Sequence, residues 1–149
     1  MRAKIIVNPK AGRGKAQIAI PIIHRVFASR KIEFDIYVTE GPGDATDEAQ
    51  RAAQRGYDAV ISAGGDGTAN EVVNGIAGHD ITLGIIPCGS GNDLAISMEI
   101  PRDIEQACQI ILAGKTRKRD LGRVIDRYFA NAVGVGFDAQ VARTVNKHL

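Results

Sequence analysis

Residues 59–71 read Ala59-Val60-Ile61-Ser62-Ala63-Gly64-Gly65-Asp66-Gly67-Thr68-Ala69-Asn70-Glu71: an apolar run, a glycine-rich turn, then residues able to open a helix. A short continuous apolar run suits a strand buried on both faces, as in a parallel sheet covered by helices. Ile5-Ile6-Val7 and Leu83-Gly84-Ile85-Ile86 have the same form, and each also ends in a polar or glycine-rich turn. Residues 34–38 alternate (Phe-Asp-Ile-Tyr-Val) and predict a fourth strand, nearer an edge.

Helical stretches separate these runs. Residues 15–29 carry Ile18, Ile22, Ile23, Val26 and Phe27 at spacings of three and four, and Pro21 predicts a late start or a kink there. Residues 45–55 are rich in Ala, Gln and Glu, with Asp44 placed to cap them. Residues 68–76 and 104–113 are further helices, the second stopped by Gly114. Strand, turn and helix in repetition predict a doubly wound α/β fold, a mostly parallel sheet with helices on both faces and right-handed crossovers. After Gly114 a basic stretch, Lys115-Thr116-Arg117-Lys118-Arg119, precedes two strand-like runs, 120–125 and 128–135, separated by Asp126-Arg127 and expected to pair as a hairpin. We place a boundary near residue 116, with residues 1–116 as the α/β domain and 117–149 as the start of an incomplete β-rich second domain.

The chain of 149 residues is 44% hydrophobic and 24% charged, so it can bury a core. A net charge of +2 is too small to imply a nucleic-acid partner. No apolar stretch reaches the about 20 residues that span a bilayer, and the run after Lys4 is too short for a signal peptide. The expected setting is cytoplasmic. Cys88 and Cys108 fit no CxxC or zinc spacing and read as reduced core thiols, and the three histidines form no HExxH motif.

In open α/β sheets, ligands bind at the carboxyl ends of the strands. Here those ends carry Asn8-Pro9-Lys10-Ala11-Gly12-Arg13-Gly14-Lys15, then Gly64 to Glu71, then Pro87-Cys88-Gly89-Ser90-Gly91-Asn92-Asp93. All three should open on one edge. Polyphosphate oxygens need backbone N–H donors close by, and glycine removes the Cβ that would block them. A helix starting at Thr68 would add unpaired N–H groups and its positive dipole end. The hydroxyls of Thr68 and Ser90, and the amides of Asn8, Asn70 and Asn92, can donate to phosphate or ribose; Lys10, Arg13 and Lys15 supply positive charge. Asp66 is an anion inside a phosphate cradle. It reads as a ligand for Mg2+, direct or through water, or as the group that handles an acceptor hydroxyl; the plainer reading is a helix cap or turn former.

Familiar signatures fail. There is no Walker GxxxxGK[ST], and Gly64-Gly65-Asp66 shares only its first three residues with the GGDEF cyclase signature. Gly134 to Ala139 fits GxGxxA, but the acidic residue a dinucleotide site requires about 20 positions on does not follow.

At these turns the sequence resembles the catalytic domain of the diacylglycerol kinase and lipid kinase family, which includes sphingosine kinases and small bacterial lipid kinases, with more distant kinship to NAD kinases and phosphofructokinases. The resemblance is carried by residues 8–12, by Thr39 with Gly41-Pro42-Gly43-Asp44-Ala45, by GGDGTANEVVNG at 64–75, and by residues 83–95. Asp120-Leu121-Gly122, Phe129-Ala130-Asn131 and residues 134–139 resemble the opening of the family's second domain. The resemblance implies nucleotide contacts at Asn8, Pro9, Lys10, Ala11, Gly12, Thr39, Gly64, Gly65, Asp66, Gly67, Thr68, Ala69, Asn70 and Ser90; Asp66, from its chemistry, is the expected catalytic residue and Mg2+ ligand. Ala11 stands where the family often has serine, and Ser90 where it usually has threonine.

The function so implied is an ATP-dependent lipid kinase, or its nucleotide-binding part, that phosphorylates a lipid hydroxyl with Mg2+. The alternatives are a non-catalytic nucleotide-binding module and a kinase for a soluble acceptor such as NAD. Family members are about twice this length, and their second domain closes the lipid cleft and supplies the general base. A lipid substrate implies peripheral contact with the inner face of the membrane, for which residues 115–119 are candidates beside the plainer reading of a solvated linker. Were the chain the entire polypeptide, the unpaired edges of its last strands would predict a homodimer or partial disorder after residue 116.

Overall fold

The computed structural model describes residues 1–131. Four strands, β1 (Arg2–Val7), β2 (Glu33–Val38), β3 (Ala59–Gly64) and β4 (Thr82–Pro87), form one parallel sheet in the order β2-β1-β3-β4. Each strand is longer than its apolar run because polar residues at the ends still pair: Arg2 lies opposite Glu33, and Thr82 opposite Ala59.

Alternation along β1 and β3 divides the core in two. Ala3, Ile5 and Val7, with Ala59, Ile61 and Ala63, face helix α1 (Ala11–Ala28) and pack on its Ala16, Ala19, Ile23, Val26 and Phe27. On the other face Ile6 and Val60 meet Ala45, Ala49 and Ala52 of α2 (Asp44–Gln54) and Val72 and Ile76 of α3 (Asp66–Ile76). Each fully buried Ile, Val or Phe in these layers contributes about 1.5–3 kcal/mol. After β4 the chain forms α4 (Asp93–Ser97), α5 (Ile104–Leu112) and an antiparallel hairpin of β5 (Gly122–Val124) and β6 (Arg127–Phe129). Helix α5 joins the α1 face through Ile104 and Cys108.

Local departures from the sequence expectation have physical causes. Ile18 is 74% exposed, because alanines at 16 and 19, not the larger Ile18, lie against the sheet. Non-helical angles in α1 are confined to Gly12, Arg13 and Gly14, all left-handed, so the helix runs through Pro21 and the irregularity sits at its start. Asp44 does not cap α2: the N-cap is left-handed Gly43, and the Asp44 carboxylate accepts instead from Glu40 N (2.8 Å) and Tyr37 Oη (2.8 Å). That bond holds the Tyr37 hydroxyl above its usual pKa. Helix α3 begins at Asp66, two residues before Thr68. The hairpin turns at Ile125-Asp126, one position before the expected pair, and residues 132–135 of its second expected run lie outside the described residues.

Lys4 points inward from β1 and is 9% exposed, with Nζ 3.1 Å from Glu48 Oε1 of α2. Glu48 Oε2 also meets Arg51 at 3.0 Å. This pair fixes α2 on β1, and removing one partner would strand a buried charge at a cost of about 3–5 kcal/mol.

Candidate functional site

Strand order reverses between β1 and β3: the chain leaves β1 to pair β2 on one side, then returns to pair β3 on the other. Such a switch opens a crevice at the carboxyl ends. Four loops meet there around a cavity of about 610 Å³. It is lined after β1 by Asn8, Lys10, Ala11 and Gly12; after β2 by Thr39, Glu40, Gly41 and Pro42; after β3 by Gly65, Gly67, Thr68 and Glu71; and after β4 by Gly89. Ala45 of α2 completes the wall.

The loops hold one another. Asn8 Nδ2 donates to Thr68 Oγ1 at 3.1 Å while Asn8 Oδ1 accepts from Lys10 N at 3.1 Å, so one side chain ties the first loop to α3. Because the Thr68 oxygen already accepts from Asn8, its own hydrogen is left for another partner. Thr39 N donates to Val7 O at 2.9 Å, and Cys88 N to Gly64 O at 2.8 Å.

The glycines divide by purpose. At Gly12 φ is +60° and a Cβ would collide with the Cys88 carbonyl. At Gly89 a Cβ would lie 2.5 Å from the Gly65 Cα. These positions need glycine for contacts within the protein. At Gly67 and Gly41 a Cβ would meet nothing within 4 Å, and neither has a left-handed φ, yet both line the cavity. Their missing side chains leave that part of the cavity open. Helix α3 has no side-chain cap, so its first N–H groups are open to an anion.

Asp66 lies on the other side of the α3 start. It lines a second cavity of about 210 Å³ with Asn70, Asp93, Leu94, Phe129, Ala130 and Asn131. Its Oδ1 accepts from Leu94 N at 3.0 Å, so one oxygen of Asp66 serves the start of α4 and does not cap α3, its own helix. Its Oδ2 faces Gly91, where a Cβ would stand 3.0 Å from it and 3.7 Å from Asp93 Oδ1. Asp66 and Asp93 are thus two carboxylates beside one glycine, on the rim of one small cavity.

The family model of the diacylglycerol kinase catalytic domain matches residues 2–124. The chain belongs to this family. Proteins named diacylglycerol kinase from Staphylococcus aureus strain bovine RF122 and from Staphylococcus saprophyticus are 43% and 41% identical to it over 143 residues, which is 95% of this chain and 45% and 47% of those proteins. The crystal structure of a putative diacylglycerol kinase from Bacillus anthracis strain Sterne superposes with a TM-score of 0.79 at 33% identity, over 86% of this chain and 47% of that one. The chain spans about half the length of the relatives it matches.

Among the residues singled out from the sequence of this diacylglycerol kinase family member, Asn8, Lys10, Ala11, Gly12, Thr39, Gly65, Gly67 and Thr68 line the large cavity. Asp66 and Asn70 line the small one. Gly64 packs under Thr68, and Ala69 is buried against Ile85 and Leu94. Pro9 and Ser90 are absent from both linings; Ser90 is exposed, and its neighbour Gly89 stands at the cavity. Asn92 is not free to donate to a ligand: it is 3% exposed, Oδ1 accepts from Gly89 N (2.8 Å) and Nδ2 donates to Gly89 O (2.7 Å). Asp93, Glu40 and Glu71 were not singled out. Asp93 and Glu71 each had a signal in their place at the end of a quoted glycine turn; Glu40 had none.

Cys88 and Cys108 are buried free thiols. Burial pushes Cys88 up to about 11, slightly opposed by Lys15, and Cys108 up to about 12. Both remain protonated and unreactive near neutrality. Among the described residues no helix is long and apolar enough to cross a membrane.

Proposed function

We propose that the chain is the nucleotide-binding part of an ATP-dependent lipid kinase, which transfers the γ-phosphoryl group to a lipid hydroxyl. The observation that carries this reading is the large cavity, with Gly41 and Gly67 leaving open space inside it beside an uncapped helix start. Its size falls within the range of about 300–1,000 Å³ typical of small-molecule sites. The names of the relatives support a diacylglycerol acceptor.

In this reading the triphosphate lies across the α3 start, on the N–H groups of Gly67 and Thr68, the Thr68 hydroxyl and Lys10. Glu40 and Glu71 would be repelled by phosphate and suit the far end, accepting from ribose hydroxyls or a base amine. Thr39 and Gly41 form the wall opposite. Residue 116 is our boundary between this unit and the next.

Magnesium would serve here by neutralising the phosphates. Asp66 and Asp93 with Asn70 fit such an ion, because Mg2+ usually takes one or two carboxylates and completes its shell with phosphate and water. No group of three or more metal-binding side chains occurs among the described residues, so the protein alone makes no closed cage. Asp66 Oδ2, the oxygen not used by Leu94, is the atom we assign to the reaction. In the transfer the acceptor oxygen bonds to the γ-phosphorus, the bond to the β-phosphate oxygen breaks, and the hydroxyl proton leaves to a base. The exposed cations Lys115, Arg117, Lys118 and Arg119 suit an anionic lipid surface, at about 1 kcal/mol each.

The test uses the full-length protein with Mg·ATP labelled in the γ position. Diacylglycerol is offered in anionic and in neutral vesicles, and NAD in solution. Label should enter the lipid, faster in anionic vesicles. Asp66→Asn should lower transfer about 100- to 10,000-fold while circular dichroism is unchanged. Label in NAD would transfer the reading to a soluble acceptor. Nucleotide binding with no transfer to either would leave a binding module, a reading that the use of Asp66 Oδ1 as a structural acceptor favours.

A further inference from the structure

We propose that Asn74 is a positioning residue: it clamps the β5–β6 hairpin to α3 so that Phe129, Ala130 and Asn131 stand over the Asp66–Asp93 pair. The proposal rests on the kinase reading, since it concerns the acceptor side of that site.

Asn74 lies on the last turn of α3, two turns from Asp66. Its Nδ2 donates to Tyr128 O at 2.9 Å, and its Oδ1 accepts from Tyr128 N at 2.9 Å. The second hydrogen on Nδ2 goes to Asn70 O at 2.8 Å, one turn back in the helix. Both donors and one acceptor lone pair of the amide are therefore in use.

Tyr128 is the β6 residue whose backbone is free for this. The hairpin closes through two residues, with Val124 opposite Arg127 and Arg123 opposite Tyr128. The closing pair exchanges the ladder bonds, and the next pair turns its N–H and C=O outward. The carboxamide of Asn74 presents a donor and an acceptor side by side, as a peptide group of a third strand would. It thus adds one strand-like pairing to the outer edge of β6, across 54 residues of sequence.

The consequence is directional. The residue after Tyr128 is Phe129, and Phe129 to Asn131 share the small cavity with Asp66, Asn70, Asp93 and Leu94. No hairpin residue lines the large cavity. A clamp at Asn74 therefore fixes what faces the acid pair without touching the nucleotide cleft. Asn74 acts through Tyr128 and touches neither cavity itself.

The test compares Asn74→Ala and Asn74→Asp with wild type in the full-length protein. Alanine is the better helix former and the site is only half-buried, so α3 should persist. Aspartate keeps the shape and the acceptor but cannot donate to Tyr128 O. Alanine should expose the Tyr128 amide to hydrogen exchange, whereas aspartate, which still accepts from Tyr128 N but repels Tyr128 O, should expose it less. Both variants should lower kcat for lipid phosphorylation about tenfold to a hundredfold with KM for ATP unchanged. Hydrolysis of ATP by water, which needs no placed acceptor, should rise relative to lipid transfer. Unchanged exchange at Tyr128 and an unchanged transfer-to-hydrolysis ratio would overturn the proposal. So would a parallel loss of ATP affinity and melting temperature, which would mark Asn74 as a general support of α3. If wild type phosphorylates no lipid, it is the kinase reading that fails, and Tyr128 exchange still decides whether the clamp exists.

Discussion

Helices α3 and α5 begin in opposite ways. Asp103 caps α5 with its own carboxylate, accepting from Gln106 N at 2.8 Å, and Arg25 of α1 holds Glu105 of its first turn at 2.7 Å. Helix α3 starts from an extended glycine with no side-chain cap. So do the other helices at the cleft start without one: α1 after Lys10 and α2 after Gly43. At α1 and α2 backbone carbonyls take the place of a cap: Ala11 N donates to Asn8 O at 3.0 Å and Thr46 N to Gly43 O at 3.0 Å. Helix α3 keeps its first donors open, and forgoes the about 1 kcal/mol that a cap would have contributed.

The sharpest way to break this contrast is Gly67→Ala. Gly67 is the second residue of α3, where alanine is still the better helix former, yet the new methyl would project into the large cavity. Thermal unfolding should rise while ATP affinity, measured by titration calorimetry, falls about tenfold or more, equal to about 1.4 kcal/mol. Unchanged affinity would mean that the open space at Gly67 serves no ligand. The converse is Asp103→Ala, which should cost about 1 kcal/mol in denaturant unfolding and leave ATP affinity untouched; an effect on ATP would show that the two helix starts are not independent.

The smallest effect concerns the thiols, one beneath the rim and one on α5. Neither Cys88 nor Cys108 should react with iodoacetamide at pH 8 in the folded protein. Their folded pKa values, about 11 and about 12, lie above those of the unfolded chain. Above about pH 9 the unfolded state therefore binds fewer protons than the native one, and stability should fall as pH rises toward 11 and 12. Denaturant midpoints taken from pH 8 to pH 11 check the sign.

Much of this architecture was legible. Three apolar runs became the central strand and its neighbours, the alternating segment became an edge strand, and three glycine turns met at one rim, as their order along a parallel sheet requires. What escaped depended on contacts between distant segments. A five-residue helix such as α4 is too short to show a period, so Asp93 read only as the end of a turn. Asn92 has the chemistry of a ligand donor, but its amide is consumed by the Gly89 backbone. Gly12 and Gly89 carry the composition of a phosphate cradle yet are small because other backbone presses on them. Of those turn glycines, Gly67 lines the cavity with open space where a Cβ would stand.

The bare approach of Gly65 to Gly89, Cα against Cα, has one more consequence. Two turns that abut without side chains between them cannot slide or part by rotamer change. This part of the rim is therefore set by backbone packing as the chain folds, and a ligand entering there would meet a wall already assembled. A side chain introduced at either turn would press on the backbone of the other, so one substitution would disturb both.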